Sequence, residues 1–333
     1  MAQSGQLPAV AIMPSRLPTL EQLERAADVV YRTMTPTPQH SWPLLNGELG
    51  TQVWLKHENQ TPLGAFKMRG GLVYFQQLAA MEPRPAGVIS ATRGNHGQSV
   101  AFAARRHDIP ATIVVPHGNS REKNAAMRAL GAQLIEHGED FQEAREHAAQ
   151  LAEERRLHMV PSFHPFLVQG VASWALELMH AVHDLDLLYV PIGLGSGICG
   201  AIAVREALGL PVEIVGVVSA AAPAYARSFE YRELVERPAH TELADGLACR
   251  KPEAAALEII LAHVTRIVEV TDDDVAEAMR LVFSSTHTVA EGAGAAGVAA
   301  MLREKHQIAG RKVATVLCGA NVDRLVYARV LAG

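Results

Sequence analysis

Cysteine is scarce in this 333-residue chain. Its three cysteines, Cys199, Cys249 and Cys318, are odd in number and far apart. That spacing fits neither a disulfide framework nor a zinc knuckle, and reduced thiols in a cytoplasm are the simplest reading. Long apolar runs are also missing. Each is broken by charge or glycine well before the ~20 residues that a membrane helix needs. The first 20 residues lack a basic stretch followed by an apolar one, so no signal peptide is expected, and their prolines suggest a loose lead-in. Positive charge is not in excess: 30 Lys and Arg stand against 35 Asp and Glu, a net charge of −5. There is thus no electrostatic case for nucleic acid or an anionic membrane as partner. Fixed-period repeats and low-complexity segments are absent too.

Apolar residues are plentiful. At 49% hydrophobic and 20% charged, the chain can bury a substantial core. "TLEQLERAADVVYRTM" (19–34) predicts a helix with Thr19 and Gln22 as a capping box, stopped by "TPTP". "TQVWLKHE" (51–58) alternates as a half-buried strand does. Three strand–helix units follow. Their strands are "GVISAT" (87–92), "ATIVVP" (111–116) and "AQLIEHG" (132–138), and their helices are "QSVAFAARRHD", "REKNAAMRALG" and "EDFQEAREHAAQLAEERR". After residue 165 the rhythm resumes, with strands in "LDLLYVPIG", "VEIVGVVS" and "KVATVLCG". Such alternation predicts parallel sheets covered by helices, an α/β protein of two open twisted sheets. Ligands in such sheets sit beyond the carboxyl ends of the strands.

Three loops fall there. "PIGLGSGICGA" (191–201) places Gly193, Leu194, Gly195, Ser196 and Gly197 before a helix start, either as a phosphate cradle of backbone N–H groups or as a plain tight turn. It is no P-loop, because no Gly-Lys-Ser/Thr follows. "SATRGNHGQS" (90–99) sets Thr92, Arg93, Gly94, Asn95 and His96 at a second helix start, which suits a carboxylate, and Asn95 can donate to a phenolic oxygen. "LCGANVD" (317–323) ends a strand at Cys318, whose thiol would leave a pyridine nitrogen unprotonated. Lys67, in "TPLGAFKMRGG" (61–71), is either a solvated charge at a helix start or a buried amine beside a cofactor. Taken together, these parts describe pyridoxal 5'-phosphate bound through a lysine.

The motifs carry a family resemblance. "GAFKMRGG" resembles the Ser-Phe-Lys-x-Arg-Gly signature of fold-type II pyridoxal-phosphate enzymes, whose fold is that of tryptophan synthase β. "RGNHGQ" resembles their Ser-x-Gly-Asn-His loop, "ELADGLACR" (242–250) their Ala-Asp-Gly stretch, and "EGAGAAGVAAM" (291–301) their Glu-Pro-Ala/Ser-Gly-Ala helix. The resemblance runs from about Thr35 to the end, and threonine/serine dehydratases and serine racemases match best. It implies a large cofactor-binding domain of residues 1–70 and 164–333, with a small domain of residues 71–163 inserted in it.

The same resemblance implies roles. Lys67 forms the Schiff base and moves the α-proton, while Phe66 packs near the ring. Asn95 meets the phenolic oxygen, residues 193–197 hold the phosphate, and Gly246 lies at the cofactor. Cys318 faces the ring nitrogen. Thr92, Arg93, Gly94 and His96 receive the substrate carboxylate. Glu291 sits under the ring or caps its helix. The implied activity is dehydration and deamination of L-threonine or L-serine to a 2-oxo acid and ammonia, in a homodimer with a small amino acid as substrate. The rivals are 3-hydroxyaspartate or phenylserine as substrate, serine or aspartate racemisation, and cofactor binding without catalysis.

Several positions depart from the pattern. Arg93 replaces a small residue, which is a serine acid/base in the racemases. Arginine stays protonated and cannot be that base. It either binds a second acidic group on the substrate or turns outward to a protein carboxylate. Val218 and Ala224 stand where relatives place divalent-cation ligands, and neither can ligate, so no metal is expected. Gly292 replaces a proline. The sequence ends at Gly333, which predicts no regulatory domain, no isoleucine feedback and a catabolic role. His180 and His183 read as an ordinary surface pair on one helix, "EAREHAAQLAEERR" as a solvated helix face, and Cys199 and Cys249 as packing residues. The side-chain pocket is expected from residues 159–170 and 220–250.

Overall fold

The protein is described from a computed structural model covering residues 17–333; most of the expected N-terminal lead-in lies outside the described residues. The chain begins with α1 (Leu20–Tyr31), β1 (Gln39–Ser41), α2 (Pro43–Leu49), β2 (Gln52–Lys56) and α3 (Lys67–Ala79). It continues with β3 (Val88–Ala91), α4 (Asn95–Arg106), β4 (Ala111–Val115), α5 (Arg121–Ala129), β5 (Gln133–Glu136), α6 (Phe141–Arg155) and β6 (His158–Met159). Then come α7 (Pro165–Ala181), β7 (Leu187–Pro191), α8 (Ser196–Leu208), β8 (Glu213–Ser219), α9 (Ala224–Tyr231), α10 (Ala254–His263) and β9 (Arg266–Val270). The chain finishes with α11 (Asp272–Thr286), α12 (Gly292–Arg303), β10 (Lys312–Val316) and α13 (Arg324–Ala332).

The strands form two sheets. One has six strands in the order β1-β2-β10-β7-β8-β9, and the other has four in the order β5-β4-β3-β6. Every pairing is parallel except β1 with β2. The central strands β3 and β7 are buried along their whole length, as their largely apolar content requires when helices cover both faces. The four-stranded sheet uses residues 88–159 alone, whereas the six-stranded sheet joins β2 to strands from 187 onward. The largest apolar cluster surrounds the six-stranded sheet and includes Trp174, Tyr189 and Ile202, all fully buried.

Local sequence explains the elements and corrects several expectations. Thr19 and Gln22 do form a reciprocal capping box, but the helix ends at Tyr31, before the "TPTP" stop. The helix after β3 starts at Asn95, so Asn95, His96 and Gly97 form its first turn instead of a loop. His180 is the penultimate residue of α7 and His183 lies beyond it, so the two exposed imidazoles do not share one helix. Segment 159–170 is helical from Pro165 onward. Periodicity missed β1 and β6, which have three and two residues, and β9, which is half-exposed. Val218 and Ala224 are buried apolar residues.

Candidate active site

The β7–α8 turn and the segment after β10 leave the same end of the six-stranded sheet, and the β3–α4 turn of the other sheet meets them. The cleft between the sheets is lined by Phe66, Lys67, Thr92, Arg93, Gly94, Asn95, His96, residues 193–197, Gly246, Glu291 and Cys318. Every site residue expected from the sequence is therefore brought to one place. Of the two segments expected to form the side-chain pocket, 159–170 contributes Ser162, and 220–250 contributes Ala239 and Asp245–Arg250.

Lys67 opens α3, directly after a segment zipped to the end of β10: Phe66 N donates to the Cys318 carbonyl at 3.0 Å, and Ala65 bridges Gly319. Its amine projects into the cleft, 3.2 Å from Ser196 Oγ and 5.1 Å from the centre of the Phe66 ring. Desolvation lowers its pKa to about 8, with Cys318 pulling weakly the other way. This answers the choice left open by the sequence, since Lys67 is no solvated surface charge.

The glycine turn is built for close approach. A Cβ on Gly193 would fall 2.4 Å from the Gly246 carbonyl oxygen, and Gly195 has φ +100 with Ala256 2.5 Å from its imaginary Cβ. Ser196 begins α8, so the turn presents the N-terminal end of a 13-residue helix to the cleft.

A polar network closes the other side. Asn95 Nδ2 donates to Glu291 Oε1 at 2.5 Å, and Asn321 Nδ2 donates to Asn95 Oδ1 at 2.9 Å. Glu291 occupies the N-cap position of α12 without a side-chain cap bond and lines the cleft. Its other oxygen is 3.2 Å from Lys123 Nζ, which lies 2.7 Å from Asp245 Oδ2. Burial, and the presence of two carboxylates around one ammonium, raise the Glu291 pKa. Burial alone would depress Lys123, but Glu291 and Asp245 outweigh it and keep the amine charged. Burial pushes the Cys318 thiol up, so it stays protonated. His96 is driven down to about 3 by burial and by Lys67, and its ring is neutral.

Arg93 and Arg145 line the cleft and form no ion pair among the described residues, whereas Arg250 pairs with Asp140 at 2.8 Å. Sequence reasoning missed Lys123, Asn321 and Arg145. Lys123 had a signal, because it shares a face of α5 with the buried Met127 four residues on, an odd place for a charge.

The sequence profile of the family described as "Pyridoxal-phosphate dependent enzyme" matches residues 30–319. The chain belongs to this family. It is 33% identical over 314 residues to an L-threonine ammonia-lyase of Thermotoga maritima, covering 94% of this chain and 78% of that protein. It is 32% identical over 321 residues to an L-threo-3-hydroxyaspartate ammonia-lyase of a Pseudomonas species, covering 96% and 100%. Among solved structures, a pyridoxal 5'-phosphate-dependent aspartate racemase superposes with a TM-score of 0.87 at 28% identity, covering 93% and 98%. The chain spans 61% of the length of a biosynthetic threonine dehydratase that it also matches. The fold is thus that of the fold-type II enzymes, and the cofactor is pyridoxal 5'-phosphate. The residues fit that group. They offer a desolvated amine for an aldehyde, a Cβ-free turn at a helix start for a phosphate, and a neutral thiol for a pyridine nitrogen.

Proposed function

We propose that this enzyme is an ammonia-lyase that removes the β-hydroxyl and the amino group of a β-hydroxy-α-amino acid, L-threonine or L-serine first, giving a 2-oxo acid and ammonia. The observation that carries the reading is the Lys67 amine, desolvated between Ser196 and the Phe66 ring at the meeting point of three loops. Bound pyridoxal phosphate supplies an electron sink for bonds at the substrate α-carbon. Lys67 binds the cofactor and carries the proton at that carbon. Residues 193–197 hold the phosphate, and Gly246 backs the turn. Phe66 packs against the ring, and Asn95 donates to the phenolic oxygen. Cys318 faces the ring nitrogen as a neutral group, which limits charge build-up in the ring. Glu291 lies at the cofactor and fixes Asn95. Thr92, Arg93, Gly94 and His96 form the seat for the substrate carboxylate at the start of α4, with the neutral His96 ring contributing shape and no charge.

We read residues 1–70 and 164–333 as the larger domain and 71–163 as the smaller. What supports this is the confinement of the four-stranded sheet to 88–159. A homodimer in the cytoplasm is the assembly we propose. Exposed Leu44, Phe283, Val289 and Leu325 support an interface around α2, α11 and α13.

A second reading has its own observation. Arg93 and Arg145 line the cleft and form no ion pair among the described residues, so an acidic side chain, as in 3-hydroxyaspartate, would find two unpaired cations there. Racemisation is disfavoured, because Arg93 stands where a proton-exchanging serine would be needed. The test is release of 2-oxo acid from L-threonine, L-serine, L-phenylserine and 3-hydroxyaspartate, with Lys67→Ala as control. Release from threonine or serine, lost in the control, is expected. Release from none of the four would overturn the lyase reading.

A further inference from the structure

Asn95 can serve a phenolic oxygen only if its amide faces the right way. The side chain has a donor end and an acceptor end of nearly equal size, and a half-turn exchanges them. Something must hold the donor toward the cleft.

The structure contains a chain of contacts that does so. Asn321 Nδ2 lies 2.9 Å from the Leu63 carbonyl oxygen and also 2.9 Å from Asn95 Oδ1. A backbone carbonyl only accepts, so the Asn321 atom that faces Leu63 must be its nitrogen. That same nitrogen faces Asn95, so the Asn95 atom turned toward it must be the oxygen. The Asn95 nitrogen is then left for the opposite side, where Glu291 Oε1 takes one of its hydrogens at 2.5 Å. The second hydrogen remains for the cleft. The backbone fixes the origin of this chain: Ala320 N donates to the Gly64 carbonyl at 2.8 Å, and Phe66 N to the Cys318 carbonyl at 3.0 Å. Asn321 therefore cannot drift relative to Leu63. The three links come from three separate segments, one before Lys67, one after β10 and one at the start of α4.

We propose that Asn321 is a positioning residue for the reaction: by giving both amide hydrogens away, to Leu63 and to Asn95, it works with Glu291 to keep the Asn95 donor turned to the cofactor. The inference rests on the reading that Asn95 meets the phenolic oxygen. Asn321 itself is not among the residues that line the cleft.

The test is a pH titration of the visible absorption of the bound cofactor in the holoenzyme. That absorption reads the proton shared by the Lys67 nitrogen and the phenolic oxygen. A donor on the oxygen draws off its negative charge; without it, the oxygen holds the shared proton more firmly and the transition moves to higher pH. Asn95→Ala should raise the midpoint by about one pH unit. Asn321→Leu should raise it too, by a smaller amount, because Glu291 alone then holds the Asn95 amide. Asn321→Asp should raise it further, since a carboxylate attracts the Asn95 nitrogen and turns its oxygen to the cleft. In an Asn95→Ala background, Asn321→Leu should add nothing. If either variant fails to fold, Asn321→Ser decides, because one hydroxyl hydrogen cannot serve both acceptors. No shift in Asn95→Ala would remove the parent reading. A shift there but none in the Asn321 variants, or an Asn321→Leu shift that persists without Asn95, would overturn the positioning role.

Discussion

Arg69 Nη1 lies 2.6 Å from Glu177 Oε1, with both side chains almost wholly out of solvent. Arg69 also binds Glu58 at 2.6 Å, and Lys56 binds Glu177 at 2.6 Å, so two cations and two carboxylates share one dry pocket. Arg69 follows Lys67 by two residues, and its carbonyl is 2.4 Å from where a Cβ on Gly170 would stand. The cluster thus fastens the first turn of α3 to α7. Arg69→Met leaves two buried carboxylates with one cation, and we expect a loss of about 3–5 kcal/mol in urea unfolding. Burial would raise the Glu177 pKa, but Arg69 and Lys56 hold it below the ordinary 4.5. Its contribution is therefore complete above pH 4.5 and declines as the pH falls below that value. Wild-type unfolding curves that are flat on acidification from pH 5 to pH 3 would refute this part.

Lys123 ties the two sheets together at the cleft. Its stem lies against Gly94, where a Cβ would come within 2.3 Å of Lys123 Cδ, and its amine spans Asp245 and Glu291. Lys123→Met strands both carboxylates, so a loss of about 3 kcal/mol is expected. In Lys123→Met/Glu291→Gln, part of that loss should return, because the most buried stranded charge is gone. A double-mutant cycle in urea measures the coupling. Strictly additive losses would show that the pair does not interact.

These residues also show where sequence reasoning reaches and where it stops. The strand–helix alternation gives the two sheets, because buried parallel strands must be continuous apolar runs, and the glycine turns mark the strand ends. The chemistry-bearing residues of those turns, Asn95, Gly193 and Cys318, were legible for the same reason. Lys123 was not, because its partners lie 122 and 168 positions away and only folding brings them near. Asn321 was quoted within its motif, yet its role depends on the Leu63 carbonyl, and a backbone atom leaves no trace in residue types.

The glycine turn makes a prediction about cofactor retention. In Gly193→Ala, the new methyl group meets the Gly246 carbonyl, and one of the two strands of contact must move. We expect pyridoxal phosphate to bind roughly tenfold or more weakly, at least about 1.4 kcal/mol. Gly47→Ala is the control, since nothing lies within 4 Å of its Cβ. Equilibrium dialysis against free cofactor separates the two. Equal affinities in both variants would show that the turn does not hold the phosphate.

The lowered pKa of Lys67 sets a pH dependence. The neutral amine is the nucleophile, and desolvation brings its pKa to about 8 in place of the ordinary 10.5. The rate at which cofactor-free enzyme captures pyridoxal phosphate should therefore rise with pH and reach half its maximum near 8. Stopped-flow absorbance across pH 6–10 measures it. A rate still climbing tenfold per unit at pH 10 would mean that the amine is solvated after all.

The 3-hydroxyaspartate reading turns on Arg93. It leaves a turn whose neighbours, Thr92 and Gly94, are buried, lines the cleft as Arg145 does, and has no carboxylate of the protein within ion-pair distance among the described residues. A side-chain carboxylate on the substrate would meet the half-buried Arg93, with the exposed Arg145 also on the cleft, and a charge-assisted hydrogen bond to Arg93 is worth about 1.5–3 kcal/mol. Arg93→Ala should then lower kcat/KM for 3-hydroxyaspartate by roughly 10- to 100-fold. For L-threonine, which meets Arg93 only through its α-carboxylate, the loss should be smaller. Because the two substrates share the α-carboxylate, a loss for both in equal measure would assign Arg93 to that group instead. A loss for 3-hydroxyaspartate alone, matched by a smaller one in Arg145→Ala, would mark the pair as a seat for the acidic side chain.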